Sequence, residues 1–208
     1  FINQFTSFND YRHKVITKYQ HKHYSMPINL ATINHFFEQE FTPSEAKAHI
    51  ESEIKQANIS SPKNLEEKAI SLIGTSLYNA FIKGYTIKQW DTDPTKLPAS
   101  IINRLPVRFN YNNDYFNDTY QGIPKNGYTA IFEKMLDHPN IDVQINTDFF
   151  DIQSRVPNDC QIIYTGPIDR LFNYKFGALG WRSVEFEKEI HSTNNYLGNS
   201  VINFADID

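Results

Sequence analysis

The pattern of apolar and polar residues near the start of the chain predicts a β-hairpin. Residues 11–25 read YRHKVITKYQHKHYS, with apolar and polar positions alternating and with many Tyr, Val, Ile and Thr residues. This alternation is typical of strands that bury one face. The polar residues Gln20–Lys22 interrupt it and predict the turn between two strands.

Helix start signals dominate the next part of the chain. Thr42 precedes a proline and is followed three residues later by Glu45, which predicts a capping box at the start of a helix. Asn64 and Glu67 repeat the same spacing before the apolar run KAISLIG. With the helical period of the neighbouring segments, these signals predict a cluster of short helices over residues 31–84.

Alternation returns after the predicted helices. Val107, Phe109 and Tyr111 fall on one side of a predicted strand, and the segment NGYTAIFEKMLDH predicts a helix. Further strands are predicted at residues 141–152, 159–165, 180–190 and 200–208. This order of elements predicts an α+β fold in which a helical domain is inserted into an antiparallel sheet domain, beside a helix–strand unit.

Composition excludes several classes of protein. The chain of 208 residues is 40% hydrophobic and 21% charged, which is ordinary for a globular protein, and no run is long enough to span a membrane. A formal charge of −4 argues against a nucleic-acid partner. The single cysteine, Cys160, fits a reducing compartment and favours a cytoplasmic location. The histidine spacing matches no zinc site, so we expect no bound metal.

The segment AFIKGYTIKQW allows two interpretations. Tyr78, Phe81 and Tyr85 share one helical face, which is the usual pattern of a core helix. However, Gly84 interrupts the pattern and permits close approach by another group, and Thr86 adds a polar side chain beside the aromatic residues. A protein that is 14% aromatic could also use such a segment as the wall of a site for flat rings or sugars.

Two further segments carry candidate binding residues. Arg104 and Arg108 lie between prolines downstream of Trp90, and arginine with aromatic rings suits a diphosphate that carries a flat base. A predicted apolar strand ends at Thr165 and Gly166, and a glycine at this point lets a ligand approach the backbone. For this second segment the sequence favours a plain strand-to-turn junction over a binding site.

Three motifs make the chain resemble a known family. G-Y-T-x-K-Q-W at residues 84–90, L-P-x-S-I-x-x-R-L-P-V-R at 97–108 and Y-F-N-D-T-Y-x-G at 115–122 are long and specific. They resemble bacterial UDP-galactopyranose mutases, and the similarity extends over essentially the whole chain. The resemblance implies an isomerase that uses reduced FAD to interconvert UDP-galactopyranose and UDP-galactofuranose through an adduct between flavin N5 and galactose.

The resemblance also implies roles for individual residues. Tyr85 matches a tyrosine that stacks on the uracil base. Arg104 matches an essential arginine on a loop that closes over the diphosphate. Ile82 stands where a phenylalanine is common, so we expect the part of the uridine site that Ile82 lines to be less tightly packed. Thr165 and Gly166 match positions near FAD. The full set of positions that match substrate-binding residues is Phe81, Tyr85, Thr86, Trp90, Arg104, Tyr115 and Asn203.

The resemblance further implies how the chain is divided. The expected parts are sheet-domain strands at 1–27, 105–123 and 180–208, a helical substrate-binding domain at 28–104, and a remnant of an FAD-binding α/β domain at 124–179. The family's G-x-G-x-x-G segment is expected before Phe1 and a second essential arginine after Asp208. We therefore expect an internal fragment that supplies the uridine and diphosphate site and is inactive alone. A homodimer is one assembly that the complete protein could form.

Two other interpretations of the sequence stay open. The chain could be a non-catalytic module that binds UDP or a nucleotide sugar. It could also be a structural piece in which the aromatic residues form a core and an unpaired strand edge drives association.

Overall fold

The protein has an α+β fold, as the sequence predicts. A computed structural model describes residues 1–102 and 105–207, in which a small mixed sheet is accompanied by helices. The chain divides into two compact units. The larger unit comprises Asp10–Gly122 and Glu189–Asp208, and the smaller unit comprises Phe1–Asn9 and Ile123–Lys188.

The sheet of the larger unit begins with the predicted hairpin. Strands β1 (Val15–Tyr19) and β2 (Lys22–Met26) pair antiparallel, and the turn residues Gln20 and His21 both have positive φ angles. Two such residues produce a tight turn whose twist matches the strands. Strand β3 (Ile202–Phe204) pairs parallel to β1 on its other side, so the sheet has the order β2-β1-β3 and is mixed, not antiparallel as predicted.

The helices of the larger unit start at the predicted caps. The Thr42 hydroxyl accepts a hydrogen bond from the Glu45 amide, and the Glu45 carboxylate accepts one from the Thr42 amide, so the capping box is confirmed. Asn64 caps the next helix as predicted, although the Glu67 carboxylate accepts from the Lys63 amide rather than from that of Asn64. The helices are α1 (Leu30–Phe37), α2 (Pro43–Ala57), α3 (Leu65–Ile73), α4 (Thr75–Leu77), a π-helix (Tyr78–Lys83), α5 (Gly84–Trp90) and 3₁₀ turns at Pro94–Lys96 and Ala99–Ile101.

The core of the larger unit lies between these helices and one face of the sheet. Side chains with almost no exposure come from α1, α2, α3 and the π-helix, and Tyr24 joins them from β2. Asn29 is fully buried beside them as the cap of α1, where its Oδ1 accepts from the Thr32 amide and its Nδ2 donates to Ser25 Oγ at 2.8 Å. Both ends of the Asn29 side-chain amide are therefore used inside the unit.

The smaller unit consists of short elements joined by irregular chain. The predicted helix is confirmed as α6 (Thr129–Leu136). An ion pair of 2.7 Å joins Arg170 to Asp148, and the guanidinium also lies over the Phe150 ring. The other elements are 3₁₀ turns at Ile2–Gln4 and Gln153–Arg155, α7 (Phe149–Ile152) and α8 (Ile168–Leu171).

Several strand predictions are wrong. Residues 105–120, 141–147, 159–165 and 180–190 contain no strand in the structure, and residues 149–152 form α7 instead. Alternation alone does not make a strand, because the backbone needs a partner strand for its hydrogen bonds. The prediction at 200–208 is confirmed for Ile202–Phe204, which pair with the edge of β1.

Apolar side chains of the smaller unit remain largely uncovered. Ile145, Ile163 and Phe176 are all more than three-quarters exposed, whereas Ile131 is buried. Throughout the described residues, the helices are too short or too polar to cross a membrane.

Candidate functional site

The π-helix changes which side chains face the core. Tyr78 and Phe81 are 1% and 4% exposed, but Tyr85 is 40% exposed. In an α-helix the three rings would share a face, because each residue turns the chain by about 100°. The wider π turn contributes an additional residue, so the next helix, α5, is rotated away from that face. The prediction of one common face is therefore wrong, and Tyr85 points its ring towards the surface.

Phe81 is part of the core. Its ring centroid lies 5.0 Å from that of Tyr24, 5.4 Å from that of Phe36 and 6.0 Å from that of Tyr19. These edge-on and tilted contacts are typical of packed aromatic clusters. Phe81 thus supports the segment that carries Tyr85, and direct contact with uridine stays a prediction.

Helix α5 lies against the end of β3. A Cβ atom added at Gly84 would stand only 2.1 Å from the Ala205 carbonyl oxygen, so the absence of a side chain permits this approach. Lys88 Nζ donates to the Phe204 carbonyl at 2.7 Å. Thr86 is buried and Trp90 is half-buried on the same helix. The close approach expected at Gly84 is confirmed, with backbone as the neighbour.

Asn203 lies in the centre of β3. It is paired with Thr17 of β1, and side chains of paired residues lie on the same face of a sheet. Thr17 is buried, as is Tyr24 opposite it in β2, so this face packs on the helices. The structure therefore brings half-buried Asn203 into the same part of the larger unit as α5.

Tyr115 lies on a loop beside His13, just before the start of β1. Its amide donates to the His13 carbonyl at 3.0 Å, and its ring stands edge-on to the His13 ring at 5.2 Å. The Tyr11 hydroxyl hydrogen-bonds His13 Nδ1 at 3.0 Å and Ser200 Oγ at 2.6 Å. Tyr115 is thus fixed from behind while 43% of its surface stays exposed.

The structure describes only one of the two arginines that were predicted for the diphosphate site. Arg108 donates to the carbonyls of Asn112 and Asp114 and, at 2.6 Å, to Asn117 Oδ1. Its guanidinium therefore braces the loop that carries Tyr115. Arg104 lies outside the residues that the structure describes.

Thr165 and Gly166 belong to the smaller unit and are exposed in an irregular segment. A Cβ atom at Gly166 would meet the Tyr164 ring, with 2.4 Å to its hydroxyl. The space that a Cβ would occupy at this glycine is therefore filled by Tyr164. Contact of Thr165 and Gly166 with FAD stays a prediction.

The site contains charges whose placement sequence reasoning missed. The Tyr78 hydroxyl donates to Glu66 Oε2 at 2.7 Å, and Lys83 Nζ lies 4.0 Å from the same oxygen. Burial, followed by the hydrogen bond to Glu66, raises the pKa of Tyr78 far above its usual value. The sequence signal for Glu66 is weak, because it is one of two adjacent glutamates after a helix cap and only Glu67 matches a capping role.

Other potential sites contain none of the predicted residues. Within the described ranges 1–102 and 105–207, no group of three or more His, Cys, Asp or Glu side chains is arranged to hold a metal ion. A pocket of about 290 Å³ is lined by Ile16, His23, Tyr24, Ser25, Ala31, Thr32 and His35. Among the predicted residues, those on α5 lie against the end of β3, whereas Tyr115 lies beside His13, before the start of β1.

Comparison with known proteins identifies the family. The family model described as UDP-galactopyranose mutase matches residues 80–208, from the π-helix to the end of the chain. The chain belongs to the UDP-galactopyranose mutase family. The match includes both α5 and β3, the two elements that meet at Gly84.

Curated relatives agree with this assignment. A probable UDP-galactopyranose mutase of Klebsiella pneumoniae is 42% identical over all 208 residues, which cover 53% of that protein. The dTDP-fucopyranose mutase of Escherichia coli is 35% identical over 212 aligned residues, with all of this chain and 56% of the relative covered. The UDP-galactopyranose mutase of Mycoplasma genitalium is 29% identical over 224 residues, 98% of this chain and 53% of the relative. The chain thus spans about half the length of these relatives.

Proposed function

We propose that this chain binds the nucleotide part of UDP-galactopyranose and UDP-galactofuranose, in the family reaction that interconverts them. The observation that carries the proposal is the family match over residues 80–208. This match includes both α5 and β3, and the two elements lie side by side in the structure. Tyr85 would stack on the base. Trp90 and Arg104 would contact the diphosphate and the sugar.

The geometry of the larger unit supports this assignment. The Tyr85 ring is exposed, and the residue before it, Gly84, is held against the Ala205 backbone. The Tyr115 hydroxyl is a suitable donor to a phosphate oxygen, and the contacts with His13 restrict its ring. Ordering these groups before the ligand arrives lowers the entropy cost of binding.

The flavin part of the reaction requires more than these residues supply. Reduced FAD, which the family resemblance implies, would provide the electron-rich ring that reacts with the sugar. Thr165 and Gly166, the two positions of this chain that match the family near FAD, lie in the smaller unit and supply only a small part of such a site. We therefore propose that the 208-residue chain binds nucleotide without converting the sugar, as a nucleotide-sugar binding module would.

A second candidate ligand is a dTDP-sugar. The Escherichia coli relative, which aligns with all of this chain, is a dTDP-fucopyranose mutase. Thymine differs from uracil by one methyl group, which an apolar wall of the base site would accommodate. Ile82, which the family resemblance assigns to this wall, is partly buried and packs against the core.

Titration calorimetry of the 208-residue chain tests the proposal. UDP, UDP-galactose and dTDP are added to the wild type and to Tyr85→Ala, Trp90→Ala and Arg104→Ala. Loss of one base-stacking ring costs about 1–3 kcal/mol, so Tyr85→Ala should weaken UDP binding by about 5- to 150-fold. Tyr128→Ala is the matched control, because it removes another exposed tyrosine ring from the smaller unit.

Each outcome has a definite meaning. A folded wild type that binds neither nucleotide overturns the proposed function. Tighter binding of dTDP than of UDP favours the second ligand. Turnover of UDP-galactofuranose by this chain with reduced FAD contradicts the proposed inactivity.

A further inference from the structure

One carboxylate contacts both ends of the π-helix. Tyr78 is its first residue and Lys83 its last, and both approach Oε2 of Glu66, at 2.7 Å and 4.0 Å. Glu66 belongs to α3, whose first turn is capped by Asn64. The two ends of the wide turn are therefore tied to a neighbouring helix that has its own fixed start.

The bond between Tyr78 and Glu66 is well placed to be strong. Tyr78 is 1% exposed, and the Glu66 side chain is 26% exposed. A hydrogen bond to a carboxylate is stronger than one between neutral groups, and a buried setting strengthens it further. Because burial and the carboxylate also raise the pKa of Tyr78, the hydroxyl keeps the proton that it donates.

The wide turn needs such support. π-helical turns are rare and occur mostly as single turns inside α-helices, frequently at functional sites. Here the turn decides whether Tyr85 shares the buried face of Tyr78 and Phe81 or lies at the surface. Contact between Gly84 and the Ala205 backbone fixes the start of the following helix.

We propose that Glu66 is a positioning residue of the nucleotide site, which holds the π-helix so that α5 presents Tyr85 to the base. Glu66 acts through Tyr78 and Lys83 and does not itself contact ligand. This role rests on the proposed function, because it matters only if Tyr85 binds a nucleotide base.

The test compares UDP affinity among variants of the 208-residue chain. Glu66→Ala and Tyr78→Phe should each raise the Kd for UDP by about 3- to 30-fold, which corresponds to the coupling typical of networks behind a site. The double variant of Glu66 and Tyr78 should have the same Kd for UDP as the single variant that binds UDP less tightly, because both substitutions break the hydrogen bond between these two residues. Glu66→Gln keeps an oxygen that accepts from the Tyr78 hydroxyl and should recover most of the affinity lost in Glu66→Ala.

A matched control separates positioning from general loss of stability. Ile50→Val removes one buried methylene from α2, which carries neither Glu66 nor the π-helix, and should cost about 1 kcal/mol of stability. Its UDP affinity should equal that of the wild type. Amide hydrogen exchange should accelerate over residues 78–90 in Tyr78→Phe, while α2 stays protected and shows that the unit is folded.

The outcomes distinguish the two proposals. If the wild type binds UDP and Glu66→Ala and Tyr78→Phe bind it equally well, the positioning role of Glu66 is overturned and the nucleotide site stands. If Ile50→Val weakens binding as much as Tyr78→Phe, the effect is one of stability and the positioning role is again overturned. If the wild type binds no UDP, the nucleotide site itself is overturned and the role of Glu66 with it.

Discussion

Gly84→Ala tests the contact that joins α5 to β3. The new Cβ would stand 2.1 Å from the Ala205 carbonyl oxygen, whereas ordinary contacts begin at 3.4 Å, so the backbone must retreat by about 1.3 Å, the difference between the two. That retreat breaks or lengthens two hydrogen bonds, from Lys88 Nζ to the Phe204 carbonyl at 2.7 Å and from the Ala205 amide to the Lys18 carbonyl at 2.9 Å.

The opposing effects can be compared in magnitude. Alanine stabilises a helix interior by about 1 kcal/mol relative to glycine. Two weakened hydrogen bonds cost about 1 kcal/mol each, and overpacking against backbone costs about 1–3 kcal/mol. We therefore expect Gly84→Ala to lower the free energy of unfolding by about 2–4 kcal/mol, despite the better helix propensity of alanine.

Urea unfolding followed by circular dichroism measures this difference. Gly180→Ala is the control, because no atom lies within 4 Å of the Cβ position there and its φ is ordinary. That variant should match the wild type within about 0.5 kcal/mol. If Gly84→Ala proves as stable as the wild type or more so, helix propensity outweighs the contact and the reasoning about the α5–β3 contact is refuted.

Two further predictions concern the helix caps. Asn29→Ala removes the acceptor of the buried Thr32 amide and the Nδ2 donor to Ser25 Oγ. We expect the free energy of unfolding, measured by urea titration, to fall by about 3 kcal/mol. A loss under about 1 kcal/mol would contradict the buried network. Hydrogen bonds from the Thr42 hydroxyl and amide lower the pKa of Glu45 from 4.5, so its contribution to stability is present above that pH and is lost as the pH falls through the folded-state pKa. The stability difference between wild type and Glu45→Gln, measured by urea unfolding at several pH values, should therefore vanish in acid, and a difference that persists there would argue against a charged cap.

Elements specified by local signals could be predicted from the sequence. The capping box of Thr42 and Glu45 and the turn at Gln20 and His21 depend on neighbours within a few residues, and both are where the sequence predicts them. The alternation around Val107 specifies a face but not a partner strand, and so it predicted a strand that the structure does not contain.

The candidate site was predictable in its residue types and not in its geometry. The motif around Tyr85 and Trp90 identified the segment, but helical periodicity assigned Tyr85 to the buried face. Only the π-helix corrects this assignment, and its support by Glu66 depends on packing between separate helices. Sequence spacing contains no information about such a contact.

The parallel pairing of β3 with β1 has a consequence for synthesis on the ribosome. Residues 10–122 can collapse around their helical core as soon as they emerge, but β3 is translated only after the smaller unit between them. At about 5–20 residues per second, this interval lasts several seconds, during which β1 keeps an unpaired edge. We therefore expect β3, which contains Asn203, to join the sheet only after the helical core has formed, because a contact of very high sequence separation is slow to form.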